Sequence, residues 1–378
     1  MNPSAPEPRR PRGRRTRVAL IGSGFIADVH LQVLRAVPDV EVTALCDTDA
    51  ARAERLARRH GIAQTFATVE ALLATDVADA VHVLVPPGAH AAVARQCLEA
   101  SLHVLVEKPL VLRANEVEDL AALAERRGVV LAVNHNQAFH PAVVRLQRHL
   151  ARRRIGRLEH LALQHHVPLR QLQTGDVGHF MFRTEANILW EQGVHLFSMV
   201  GALLGPCRDV AVVLGPRRPL PNGVAFAADW LLQLTCERGT ASVRMAFGRP
   251  WLETTVQAIG SDGSCWLDLQ RGSCRLLQKT RWLDFLDHGK NLAAGACPLA
   301  ARAASAVAGY GLSLFGLSFP DDPFLRGMRG SLRGFHAAVR GTAALPEAST
   351  PAMARLVLQL CEDAARVAGL SLDPPPPP

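Results

Sequence analysis

Between Arg17 and Val133, short apolar runs alternate with stretches whose apolar residues recur every three or four positions. The runs at 18–21, 40–46, 80–85, 103–106 and 129–133 are continuous enough to be strands buried on both faces. The stretches at 25–36, 50–60, 89–100 and 113–127 carry the helical period. Strand–helix repetition at this spacing gives right-handed crossovers, so it predicts an α/β domain on a doubly wound parallel sheet.

After Pro141 the pattern changes. Residues 141–153 read as a helix, and alternating or apolar runs follow at 158–166, 210–214, 224–236, 241–247, 254–259 and 265–269. Those runs predict a sheet without intervening helices. Residues 351–368 read as an amphipathic helix that returns to the first half. The expected organisation is an arginine- and proline-rich arm at 1–16, a nucleotide-binding domain at 17–135, a substrate domain at 136–345, a closing helix at 346–372 and a polyproline tail at 373–378.

A chain of 378 residues that is 48% apolar fits a soluble protein of two domains. The formal charge of +8 raises a nucleic-acid reading, but residues 1–17 hold six arginines against Glu7, leaving only +3 on the other 361 residues. The arm therefore reads as a solubilising segment too poor in apolar residues to fold, and a nucleic-acid partner is not expected. The apolar run after the arginines is too short for an export signal, and eight scattered cysteines without a C-x-x-C pair suit a reducing compartment, so the expected location is the cytoplasm. Eight of the fifteen histidines fall within 135–195, yet no helical His-x-x-x-His pair occurs and His165 and His166 are adjacent in a strand. We therefore expect sheet and pocket histidines and no metal. Residues 291–319 carry one charge, Arg302; this stretch reads as an insertion packed at a domain or subunit interface, with a peripheral membrane contact as the alternative.

The chemistry is marked by two motifs on one sheet edge. The first strand ends in Gly22-Ser23-Gly24-Phe25-Ile26-Ala27, a turn whose glycines let a backbone approach a pyrophosphate at a helix N-terminus. Asp47, 23 positions after Gly24 at the end of the second strand, is placed to accept hydrogen bonds from ribose hydroxyls. A carboxylate there repels a 2'-phosphate, which favours NAD over NADP; Arg52 and Arg55 read as solvated members of the next helix. Pro86 and His90 follow the strand at 80–85, where His90 lies near the expected cofactor edge or is a capping or packing histidine. Glu107-Lys108-Pro109 follows the strand at 103–106 on the same edge, about eighty residues later.

Together with Glu191-Gln192-Gly193-Val194-His195, ahead of a helix ending Leu204-Gly205, these segments resemble the Gfo/Idh/MocA family, the oxidoreductases related to glucose–fructose oxidoreductase and inositol dehydrogenase. The resemblance implies a Rossmann domain followed by an α+β domain on an open mixed sheet that often forms a homo-oligomer contact, giving a dimer or tetramer. It implies NAD, with NADP as the alternative, held by Gly22, Ser23, Gly24, Phe25, Ile26, Asp47, Pro86, His90, Glu107, Lys108 and Asn136. It assigns proton transfer to Lys108 and His195, with Glu191 one helical turn before His195 to orient it or to face the substrate. The implied substrate is a sugar, nucleotide sugar or cyclitol oxidised or reduced at a secondary hydroxyl. The alternatives are a redox-neutral enzyme that recycles tightly held NAD and a non-catalytic cofactor-binding sensor. Some positions depart from the family pattern: Glu191 stands where aspartate is common, and Asn136-Gln137-Ala138-Phe139 lacks the usual arginines.

Overall fold

The computed structural model describes residues 15–279, 283–314 and 323–372. Residues 1–14 of the arm, 315–319 of the apolar stretch and the tail at 373–378 lie outside the described residues. The first half runs β1 (Thr16–Ile21), α1 (Phe25–Leu34), β2 (Val40–Cys46), α2 (Ala50–His60), β3 (Gln64–Phe66), α3 (Val69–Leu73), β4 (Ala80–Val83), α4 (His90–Glu99), β5 (His103–Glu107), α5 (Glu116–Arg127) and β6 (Leu131–Asn134). Its six strands form a parallel sheet in the order β3-β2-β1-β4-β5-β6. Alternation along β1 shows why the runs are unbroken. Val18 and Leu20 face the cluster of α1 and α2, Ala19 and Ile21 the opposite one with residues of α4 and α5, and no side is left for water.

The second half follows as α6 (Pro141–Ala151), β7 (Leu158–Val167), α7 (Arg170–Thr174), α8 (Val194–Leu204), β8 (Cys207–Leu214), β9 (Arg217–Pro219), β10 (Ala225–Ala227), β11 (Asp229–Cys236), β12 (Gly239–Phe247), β13 (Glu253–Gly260), β14 (Gly263–Asp268), β15 (Ser273–Gln278), α9 (Asp284–Leu314), α10 (Pro323–Val339) and α11 (Pro351–Val367). Seven strands form a mixed sheet, β15-β14-β13-β7-β12-β11-β8, in which β7 and β12 are parallel and every other pair antiparallel. Trp230, Leu232 and Leu234 of β11 point into the core with α8 and α11, while Leu231, Ile259 and Trp266 lie on exposed positions. The predicted strand at 224–236 is two elements: β10 pairs with β9 in a separate ribbon, and β11 enters the sheet after Ala228.

One helix departs from the expected division and another keeps to it. Helix α10 falls inside the stretch read as substrate domain, but Met328, Leu332, Phe335 and Val339 pack against β1, β5 and α1. Helix α11 packs on α8 and α5 and so joins both halves, as its amphipathic pattern suggested. Helix α9 is long and apolar enough to cross a membrane by length and composition, and its most apolar stretch is not buried.

The docking of α10 completes a buried polar string. His30 Nε2 of α1 lies 2.8 Å from Glu107 Oε1, His30 Nδ1 lies 2.9 Å from His82 Nδ1 of β4, and His82 Nε2 lies 3.2 Å from His336 Nε2 of α10. All three rings are fully buried. One tautomer assignment satisfies every contact without an extra proton: His336 donates to His82, His82 to His30, and His30 to Glu107. Burial holds His82 well below the ordinary histidine value and His336 down to about 3.

The His82 and His336 rings titrate near 6.5 once unfolded, so at these two positions the unfolded chain binds more protons than the folded one below that pH. Their stabilisation is full above 6.5 and is lost as pH falls toward the folded values, by about 1.4 kcal/mol per pH unit for each ring. Thermal melts from pH 7.5 to 4.5 are expected to show a steep fall in stability below 6.5. A flat profile would mean that these histidines are not held neutral.

Candidate active site

The carboxyl ends of β1, β2, β4 and β5 converge on one edge. Gly22 leaves β1 with a φ of +103°, and a Cβ there would stand 2.6 Å from the Leu84 carbonyl oxygen, so only glycine fits both the turn and its neighbour. At Gly24, which begins α1, a Cβ would meet nothing within 4 Å, and Phe25 in the first turn is 81% exposed. Glycine at that point leaves the helix amides open to an anion. Ser23 N donates to Asp47 Oδ2 at 2.7 Å, and Asp49 N donates to Asp47 Oδ1 at 2.8 Å. The carboxylate is thereby fixed beside the glycine turn. Arg52 does not stand free as the sequence suggested: its guanidinium is 3.7 Å from Asp47 and 3.4 Å from Asp49.

Of the two roles expected of His90, a place at the cofactor edge and a packed histidine, its contacts match the second. It is buried, with Nδ1 2.6 Å from the Pro109 carbonyl oxygen and Nε2 2.8 Å from that of Val85. A neutral ring donates to one of the two, and burial lowers its titration. The ring therefore straps the end of β4 to the turn that carries Lys108. Pro86 beside it is exposed at the start of a tight turn. Ile26 packs partly into the core under α1. Asn136 is buried, with Oδ1 lacking a partner among the described residues.

Glu107 is buried and turns toward α1, away from the open edge, while Lys108 emerges beside it. Lys108 Nζ donates to Glu191 Oε1 and to the Glu191 carbonyl oxygen, each at 2.9 Å. Glu191 sits in a single π-turn, Leu189–Gly193, that leads into α8. The extra residue of such a turn rotates the carboxylate off the α-helical face and lets the carbonyl turn outward. The expected pairing of Glu191 with His195 is thus replaced by one with Lys108.

His195, in the first turn of α8, is 7% exposed, and its buried Nδ1 has no partner among the described residues. Burial, then the charge of Lys108, then His165 and His135, push it well below the ordinary histidine value. Sequence reasoning did not single out His165, Gln192 or His135 as site residues. His165 of β7 bonds Thr254 Oγ1 at 2.9 Å and Gln192 Oε1 at 3.1 Å, and His135 Nδ1 donates to the Ala348 carbonyl oxygen at 2.9 Å. The crowding of histidines within 135–195 was the signal available for them. His166, the next residue on β7, instead lies 3.1 Å from Glu253. Elsewhere, His149, Cys265 and Cys274 bring ligand atoms within 4.8 Å of one another, but Arg145, Arg152 and Arg154 press their charge on His149 and oppose a cation.

The family described as "Oxidoreductase family, NAD-binding Rossmann fold" (Gfo/Idh/MocA) matches residues 16–135. The chain is 30% identical over 259 residues to a dTDP-3,4-didehydro-2,6-dideoxy-alpha-D-glucose 3-reductase of Streptomyces violaceoruber, covering 67% of this chain and 73% of that one. It is 26% identical over 231 residues to a D-apiose dehydrogenase of Paraburkholderia graminis, covering 61% of this chain and 60% of that relative. Among solved structures, GenD2 from gentamicin A biosynthesis in complex with NAD superposes with a TM-score of 0.71 at 25% identity, covering 97% of each chain.

The cradle at Gly22, the open first turn of α1 and the fixed Asp47 fit a dinucleotide whose ribose keeps its free hydroxyl. Titrated into the protein and followed by its fluorescence, NADH is expected to bind at least about tenfold more tightly than NADPH. Equal affinities would show that Arg52 outweighs Asp47.

Proposed function

This chain belongs to the Gfo/Idh/MocA family of NAD-binding oxidoreductases, and from that premise we propose that it oxidises or reduces a secondary hydroxyl of a sugar, nucleotide sugar or cyclitol. The observation that carries the reading is the pairing of a caged lysine with a neutral histidine. Lys108 is held on Glu191 through two contacts, and His195 next to it is buried with an unpartnered nitrogen. Gly22, Ser23, Gly24, Phe25 and Asp47 would hold NAD, which supplies the hydride acceptor and donor.

Toward that group the chain's own residues divide the work. The Lys108 ammonium places positive charge where negative charge gathers on the reacting oxygen. Burial and the charge of Lys108 disfavour the His195 cation, so the ring stands neutral and is available as the proton acceptor. Glu191 fixes the lysine, and His165 with Gln192 lines the substrate side of β7. Glutamate in place of the commoner aspartate lengthens the reach to Nζ while keeping the charge.

Polar groups at the sheet face beneath α8 support a polyhydroxylated substrate. We extend the reading to a homo-oligomer built on the open face of the seven-stranded sheet, where Leu231, Ile259 and Trp266 are exposed. Helix α9 is a second apolar surface for such contacts. The scattered thiols support a cytoplasmic location.

Nicotinamide absorbance followed over a panel of sugars, cyclitols and nucleotide sugars is expected to report NADH release. Lys108→Met and His195→Ala are each expected to lower turnover by roughly 10² to 10⁴ with the fold and NADH binding intact. Near-normal rates in both variants would remove the assignment. NADH binding without net turnover on any substrate would point to a recycled cofactor.

A further inference from the structure

Far from the glycine turn, at the end of the seven-stranded sheet, two cysteines face each other. Cys207 opens β8 and Cys236 closes β11, and a bulge after the Thr235–Asp209 pair brings the two opposite each other at the end of the ladder. Their sulfurs are 2.6 Å apart, inside the separation at which two unbonded sulfurs rest and short of any S–H···S hydrogen bond. Opposite positions on neighbouring antiparallel strands bring side chains close enough for a bridge. Cys236 points into the core, whereas Cys207 is half-buried and lines a cleft with Gly205, Pro206, Gln359 and Asp363.

We propose that Cys207 and Cys236 form a reversible intramolecular disulfide, a covalent modification site at the base of α8. The bridge would close over the turn that joins this helix to the sheet. There Arg238 N already donates to the Leu204 carbonyl oxygen and Glu237 N to that of Pro206, each at 3.0 Å. The crosslink fastens the C-terminal end of the helix whose first turn carries His195 and ties the edge strand β8 to β11. In a reducing pool the pair stands as two thiols, and an oxidising excursion converts it.

The oxidant is a small disulfide. The Cys207 thiolate attacks one sulfur of oxidised glutathione, forming a mixed disulfide and releasing one glutathione thiolate. The Cys236 thiolate then attacks the Cys207 sulfur and expels the second glutathione. The protein loses two protons and two electrons, and these reappear in two molecules of reduced glutathione.

The sheet contains its own comparison. Cys265 and Cys274 are 3.8 Å apart on diagonal positions of β14 and β15, so they must move further to bond. The full chain, incubated with oxidised glutathione, alkylated and digested, should lose two of its eight reactive thiols and yield a peptide pair linking Cys207 to Cys236. Oxidation should also raise the melting temperature by several degrees in wild type and not in Cys207→Ser or Cys236→Ser. NADH affinity should be the same in both redox states, because the bridge lies off the cofactor edge. Eight alkylated cysteines after oxidation, a bridge mapped to Cys265 and Cys274, or an equal thermal shift in both serine variants would overturn the assignment.

Discussion

A carboxylate that must be buried organises this molecule. Glu107 ends β5 with 8% of its surface exposed, and burial by itself would raise its titration. The hydrogen bonds from His30 and the Asn134 amide and the charge of Lys108 outweigh that and hold it below the usual carboxylate range. Each donor comes from a different element, so satisfying one side chain requires α1, β5 and β6 to be in place together. The demand is then handed on. His30 needs His82, and His82 needs His336, which brings α10 from the far end of the chain onto the parallel sheet. Lys108 is the next residue after that carboxylate and inherits its rigidity.

From this anchor the site is assembled by opposition of two layers. The parallel sheet presents the glycine turn, Asp47 and Lys108 at its carboxyl edge, and α8 with β7 presents Glu191, His195 and His165 across from them. The contact between layers is short and specific: one ammonium on one carboxylate and one carbonyl. A partly buried pair of this kind gains little net energy over well-packed apolar groups, so its value lies in fixing where the positive charge stands. The same charge adds to burial in keeping His195 neutral, which couples the states of the two groups. His90 extends the logic by strapping the lysine turn to β4.

The parallel sheet was legible because its strands are buried on both faces, which writes them as unbroken apolar runs. The three-residue β3, with two exposed positions, left no such mark, and the edge strand β15 carries no clear alternation. Most of α9 was read only as an insertion and α10 was not singled out within the substrate domain, since glycine and proline interrupt the helical period that would announce them. Motif reading located Gly22, Asp47, Lys108, Glu191 and His195, but it could not choose the partner of Glu191, because spacing of four assumes an α-helix and the chain makes a π-turn there. The histidine string had no local signature at all. His82 and His336 are 254 positions apart and meet only through tertiary packing.

The docking of α10 bears on how the chain comes off the ribosome. The strands of the parallel sheet are complete once Asn134 has emerged, yet Phe335 and Val339, which cover part of that sheet beside Leu105 and Ala132, are made two hundred residues later. Until then the sheet has an apolar side without its lid and a histidine without its donor. An apolar face of the nascent first half thus stays uncovered through most of synthesis, and the order of translation opposes the order of assembly.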